Sequence, residues 1–134
     1  MRIGWQLTNA IDEALVSRGL LAPRLLRECE TEALVDTGSV YLVISGEMLQ
    51  QLGLRIIGQQ VVKYADGRQE TVGVTEAILI EIDGRRTTED ALVTGDEVLI
   101  GQVVLEKLDL LVDCKNQRLI GNPTNPGYPV TYIK

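Results

Sequence analysis

The chain has 134 residues, 45% of them hydrophobic, with 13 basic against 19 acidic side chains and no histidine. One domain is the natural count at this length, long enough to bury a core, and a net charge of −6 speaks against a grip on nucleic acid phosphates or anionic lipid. The absence of histidine excludes Ser-His-Asp and Cys-His catalysis, an imidazole base and His-ligated zinc. Hydrolytic chemistry would have to rest on carboxylates, a lysine or an oxygen-held metal. Two cysteines, Cys29 and Cys114, are too few for a disulfide framework or a four-cysteine metal site, although a single bridge between them stays open. Met1–Leu7 contains no long apolar h-region, and no stretch approaches ~18 uninterrupted apolar residues. The expected compartment is the cytoplasm, with reduced thiols and no membrane partner.

In chain order, Ile3–Leu7 reads as a first strand and residues 10–18 as a helix. Asn9 is placed to cap that helix, with Ile11, Ala14 and Leu15 on one face and Gly19 at its end. Arg27–Val35 alternates, with Cys29, Thr31, Ala33 and Val35 on one side and Glu28, Glu30 and Glu32 on the other, as a half-buried strand does. A short helix fits Gly46–Leu52 behind Ser45. Two hairpins are expected at Asp66-Gly67 and Asp83-Gly84, the second joining Ala77–Ile82 to Thr87–Val93. Only Glu76 breaks the apolar alternation from Val72 to Ile82. A third helix is expected over Gln102–Leu108, followed by strands at Leu110–Val112 and Leu119-Ile120. Asn122–Tyr128 should be irregular, and Pro129–Ile133 could form one more strand. Asp12-Glu13 and Glu28/Glu30/Glu32 read as solvated faces. The pattern is mostly β: one domain over 1–134, with a strand-helix extension at about 1–23.

The informative stretch is Ala33-Leu34-Val35-Asp36-Thr37-Gly38-Ser39, an apolar strand that ends in an aspartate and a tight turn. A new apolar run follows at once, from Val40 to Ile44, so the carboxylate sits at the bottom of a loop with apolar walls. Further on, Leu99-Ile100-Gly101 runs straight into the third helix. With the hairpin Val61–Val74 between them, these segments resemble a retropepsin-like aspartic peptidase, the single-lobe relatives of pepsin and the retroviral proteases. The resemblance covers roughly Glu28 to Ile120, and the N-terminal helix is also similar to small bacterial members of the family. It implies a closed β-barrel of the acid protease type, with a flap hairpin and two or three short helices.

By that resemblance Asp36 is the catalytic aspartate. Thr37 would tie two active-site loops together across a dimer, and Gly38 would offer main chain to substrate. Ser39 stands where pepsin-like enzymes also carry serine, and its hydroxyl can donate to an Asp36 oxygen. Tyr64, Ala65, Asp66 and Gly67 would form the flap tip, a polar turn with nothing to pack on in the free protein. Leu99, Ile100 and Gly101 would support the active-site loop. Two positions depart from the retroviral pattern: Gln102 replaces the arginine usual after the second motif, and Asp66 stands between Lys63 and Arg68 where those flap tips are glycine-rich.

Aspartic peptidase chemistry needs two carboxylates around one water, and the chain holds a single Asp-Thr-Gly. The implied enzyme is therefore a homodimer with Asp36 facing Asp36, acting on peptide or protein without metal or cofactor. Val130–Ile133 and Ile3–Leu7 are the candidates for a sheet between subunits. Two alternatives are a catalytically idle dimerisation or peptide-binding module of the same fold, and a generic β-barrel binding domain in which the tripeptide is coincidental.

Overall fold

A computed structural model describes residues 1–133. Along them run β1 (Arg2–Asn9), α1 (Ala10–Ser17), β2 (Glu28–Val35), β3 (Val43–Ile44), α2 (Gly46–Gln51), β4 (Ile56–Lys63) and β5 (Gln69–Thr75). There follow β6 (Ile78–Ile82), β7 (Arg85–Glu89), β8 (Leu92–Val93), β9 (Leu99–Ile100), α3 (Gln102–Leu108), β10 (Leu110–Asp113) and β11 (Arg118–Gly121). Nine strands form one sheet in the order β4-β5-β8-β3-β9-β2-β1-β6-β7, curled into a half-barrel, while β10 and β11 make a separate hairpin. The fold is mostly β.

All three helices are shorter than the ~12 residues at which an isolated helix holds in water, so caps and packing stabilise them. Asn9 accepts the N–H of Asp12 to start α1, and Ser45 accepts that of Met48 to start α2. Val104, Leu105 and Leu108 bury one face of α3. The main core also takes Ile3, Trp5 and Leu7 from β1, alternate residues of β6, and Leu42, Ile44 and Ile100. A second, smaller cluster of Val43, Val72 and Leu92 joins the β4–β5 hairpin to the rest of the sheet, with Val62, Val74 and Leu99 packed against it.

Several expectations change in three dimensions. β1 pairs with β2 over Arg2–Thr8 and with β6 over Gln6–Asn9. Ile3–Leu7 is therefore an interior strand without a full free edge to offer a second subunit. The expected apolar face of α1 is half open to solvent, with Ile11 46% exposed, and the buried residue of the helix is Asp12. Asp12 is thus not a solvated side chain, because Arg27 meets it. The segment expected as one strand from Thr87 to Val93 divides at Asp90: β7 stays beside β6, and β8 crosses to pair with β5 and β3. Pro129–Ile133 forms no strand, since within this chain it has no strand beside it to complete a ladder.

The segment leading to that tail is nevertheless fixed. Arg85, buried in β7, donates to the carbonyls of Leu108 and Asp109 at 3.0 Å and of Asn125 at 2.7 Å. Carbonyls at the end of α3 lack helical partners, and a buried guanidinium supplies them. Asp109 in turn accepts from the side chains of Asn125 and Asn122 and from the N–H of Val130. These bonds, with Arg85 nearby, hold its carboxyl below the usual carboxylate range. Beyond them Tyr132 and Ile133 stand open to solvent. Cys29 and Cys114 are both free thiols.

Candidate active site

β2 and β9 run parallel, with Leu34 beside Leu99 and Val35 beside Ile100. The ladder continues one step further, where the N–H of Asp36 donates to the Ile100 carbonyl at 2.9 Å. The chain then turns back on itself. Ser39 N–H donates to the Asp36 carbonyl at 3.1 Å, and Gly38 N–H donates to Asp36 Oδ1 at 3.0 Å. A backbone donor on a carboxylate is a charge-assisted bond, and it fixes the orientation of the side chain.

The far side of the loop is held by α3. Gln102 N–H donates to the Ser39 carbonyl at 2.8 Å and Val103 N–H to the Val40 carbonyl at 3.0 Å. First-turn N–H groups have no partner inside their own helix, so the loop carbonyls satisfy them. Close approach explains the glycine between β9 and α3. A Cβ at Gly101 would stand 2.5 Å from the Tyr41 carbonyl oxygen and 2.7 Å from that of Val40, distances no side chain tolerates. Asp36, Thr37, Gly38 and Ser39 are thus brought against Leu99, Ile100 and Gly101, two motifs some sixty residues apart in sequence.

The Asp36 side chain is half-buried, whereas Thr37 and Gly38 face solvent. Among the described residues the Ser39 hydroxyl makes no hydrogen bond to Asp36; its backbone makes that contact instead. Val40 and Tyr41, expected within an apolar wall, are 54% and 46% exposed beside the loop. Their main chain passes against Gly101, a contact visible only in the folded chain.

Tyr64, Ala65, Asp66 and Gly67 lie at the tip of the β4–β5 hairpin and make no hydrogen bond to the Asp36 loop among the described residues. The tip is not without contacts of its own. Tyr64 Oη donates to Glu70 at 2.9 Å and lies 3.2 Å from the Thr94 hydroxyl, and the Arg68 guanidinium sits 4.4 Å from its ring centre. Asp66 pairs with Arg68 at 3.2 Å. Sequence reading missed Glu70 and Thr94, whose meeting depends on the register of β5 with β8.

A concavity of about 590 Å³ lies along β1 and β2 at Gly4–Gln6 and Glu30–Glu32, away from Asp36. A groove of about 230 Å³ touches the candidate loop through Thr37 and continues along Gln102, Asp109 and Leu111. Among the described residues no three His, Cys, Asp or Glu side chains gather as a metal would require, and no helix is long and apolar enough to cross a membrane.

The fold and this loop define a class, and sequence comparison places the chain in it. The aspartyl protease family model matches residues 25–123, so the chain belongs to the aspartyl protease family. Among solved structures it is similar to the retroviral protease-like domain of Ddi1 from Leishmania major. That match has 17% identity over 71% of this chain and 81% of the other, with a TM-score of 0.54. It is also similar to EIAV protease complexed with the inhibitor HBY-793, at 21% identity over 59% of this chain and 77% of that one, with a TM-score of 0.53. At these identities the likeness is one of fold. No curated protein sequence matches the chain.

Proposed function

We propose that the chain is an aspartic endopeptidase that works as a homodimer, with the Asp36 carboxylates of two copies sharing one active site. The observation that carries this reading is the position of Asp36. It is half-buried at the end of β2, oriented by the Gly38 N–H, and occurs in a loop held between β9 and α3. One chain supplies one such carboxylate, and the chemistry needs two.

Two carboxylates facing each other at short range cannot both be charged, so the pair holds one proton between them. The charged member takes a proton from the water as its oxygen attacks the peptide carbonyl carbon. The protonated member gives its proton to the carbonyl oxygen, producing a neutral tetrahedral diol. Collapse re-forms the C=O bond as a diol hydroxyl returns its proton to the charged carboxylate, and breaks the C–N bond as the protonated carboxyl gives its proton to the leaving amine, so the pair again holds one proton. The pair activates the water without a metal. In this reading Thr37, exposed beside Asp36, meets the partner's loop, and Leu99, Ile100 and Gly101 hold each loop in place. The β4–β5 hairpin serves as flap, with Tyr64–Gly67 over the bound peptide. Tail residues Val130–Ile133, led out by the Asp109 contacts, are the segment left to pair between subunits. A site shared in this way has only half its walls in each chain, which accounts for the modest groove at Thr37.

Cleavage of an unfolded protein substrate tests the proposal. Activity per chain should fall on dilution as dimers separate, and Asp36→Asn should abolish cleavage while leaving the circular dichroism spectrum unchanged. Tight peptide binding by the wild type without cleavage would instead favour an idle binding module.

A further inference from the structure

The β1–α1 segment precedes the family match at residues 25–123; β1 flanks β2, and α1 packs elsewhere. Its one buried helical residue, Asp12, leads to the base of the β4–β5 hairpin. Asp12 accepts three bonds from Arg27: the backbone N–H at 3.1 Å, Nε at 2.8 Å and Nη2 at 2.9 Å. Glu76, the residue that broke the apolar alternation, holds Arg55 in the same manner, taking its backbone N–H at 2.6 Å and its Nε at 3.0 Å. Arg55 directly precedes β4 and Glu76 directly follows β5. Glu76 N–H also returns a bond to the Arg55 carbonyl at 3.0 Å, which closes the base of the hairpin.

The two grips are joined. Arg27 packs on Gly53, two residues before Arg55, where a Cβ would stand 1.9 Å from Arg27 Nη1 and where φ is +59°. Asn9, the cap of α1, donates to the Leu52 carbonyl at 2.9 Å. Two ion pairs, Asp12–Arg27 and Glu76–Arg55, therefore lie along the path from α1 through Gly53 to the hairpin. Both carboxylates are buried, with side chains only 6% and 8% exposed, and a buried carboxylate is tolerated only where such partners stay in place. Immediately beyond this base the β4–β5 register shifts between Ile56 and Gly58, a break in the ladder at which a hairpin bends.

We propose that the β1–α1 unit anchors the hinge of the flap, with Asp12 and Glu76 as positioning residues that fix how the hairpin leaves the barrel. The inference rests on reading that hairpin as a flap. It assigns a task to a helix outside the family match: keeping the base still so that motion is confined to the bulge and the strands beyond it.

Amide hydrogen exchange on the full chain tests this, with wild type, Asp12→Asn and Glu76→Gln compared. In both variants the amides of 57–63 and 69–75 should exchange about tenfold faster, with β6 and β7 unchanged. Asp12→Asn is the telling variant, since among the described residues Asp12 makes no hydrogen bond or ion pair with the hairpin. An effect confined to residues 9–28, or one spread evenly over β1, β2 and β6, would overturn the proposal. Should Asp12→Asn fail to fold, Arg27→Lys keeps the charge, loses the forked grip, and should give the same pattern at smaller size. The readout needs no substrate, so it is independent of whether the wild-type chain cleaves peptide.

Discussion

The two ends of the β4–β5 hairpin are held by similar chemistry in different surroundings. At the base, buried Glu76 grips Arg55, and behind it buried Asp12 grips Arg27. At the tip, Asp66 and Arg68 are 61% and 68% exposed, and the Tyr64 hydroxyl bonds to exposed Glu70 and to Thr94. Water can replace any bond at the tip at little cost, whereas at the base the carboxylates are largely shielded from it. The contrast teaches that burial, rather than the number of contacts, determines which end of the hairpin is held and which can exchange its partners.

The largest disruption should come from Arg27→Ala, which leaves Asp12 buried without its guanidinium. Half-exposed Arg27 is partly screened, so the expected loss is about 2 kcal/mol, or on the order of 5–10 °C in Tm. Acid sharpens this prediction. The hydrogen bonds from Arg27 hold the Asp12 carboxyl below the usual carboxylate range. A depressed folded-state value means that the stabilisation is fully present above the unfolded value near ~4 and is lost as pH falls through the folded one. The Tm difference between wild type and Arg27→Ala should therefore be constant at neutral pH and close below about pH 4. A gap that stayed open in acid would mean that Arg27 acts through packing alone.

A smaller effect is expected from Tyr64→Phe, which removes only the hydroxyl and its bonds to Glu70 and Thr94. Tm should change by no more than about 2 °C, with exchange quickening a few-fold at 64–68 and nowhere else. A loss matching that of Arg27→Ala would erase the distinction between base and tip.

Much of the fold is legible in the sequence because its signals are local. Alternation marks β2, and Asp83-Gly84 marks a two-residue turn, both residues taking the positive φ that such a hairpin requires. Apolar spacing marks the limits of α3. The Asp36 loop is legible for a related reason: the glycine at 101 is demanded by main chain passing 2.5 Å from where its Cβ would be. What the sequence conceals depends on distant partners. Asp12 reads as a solvated helix residue until Arg27 is folded against it, and Glu76 reads as an interruption until Arg55 supplies its donors. The tail Pro129–Ile133 has the composition of a strand, yet a strand needs a neighbour and the described residues provide none.

The central claim is that one chain carries half an active site, and mixing chains tests it most directly. Wild type and Asp36→Asn are dissociated, combined in varying proportion at constant total concentration, reassociated, and assayed for peptide cleavage. If two Asp36 carboxylates form each site, mixed dimers are inactive and activity falls with the square of the wild-type fraction. A fall in simple proportion to that fraction would show that each wild-type chain works alone, and would contradict the shared site.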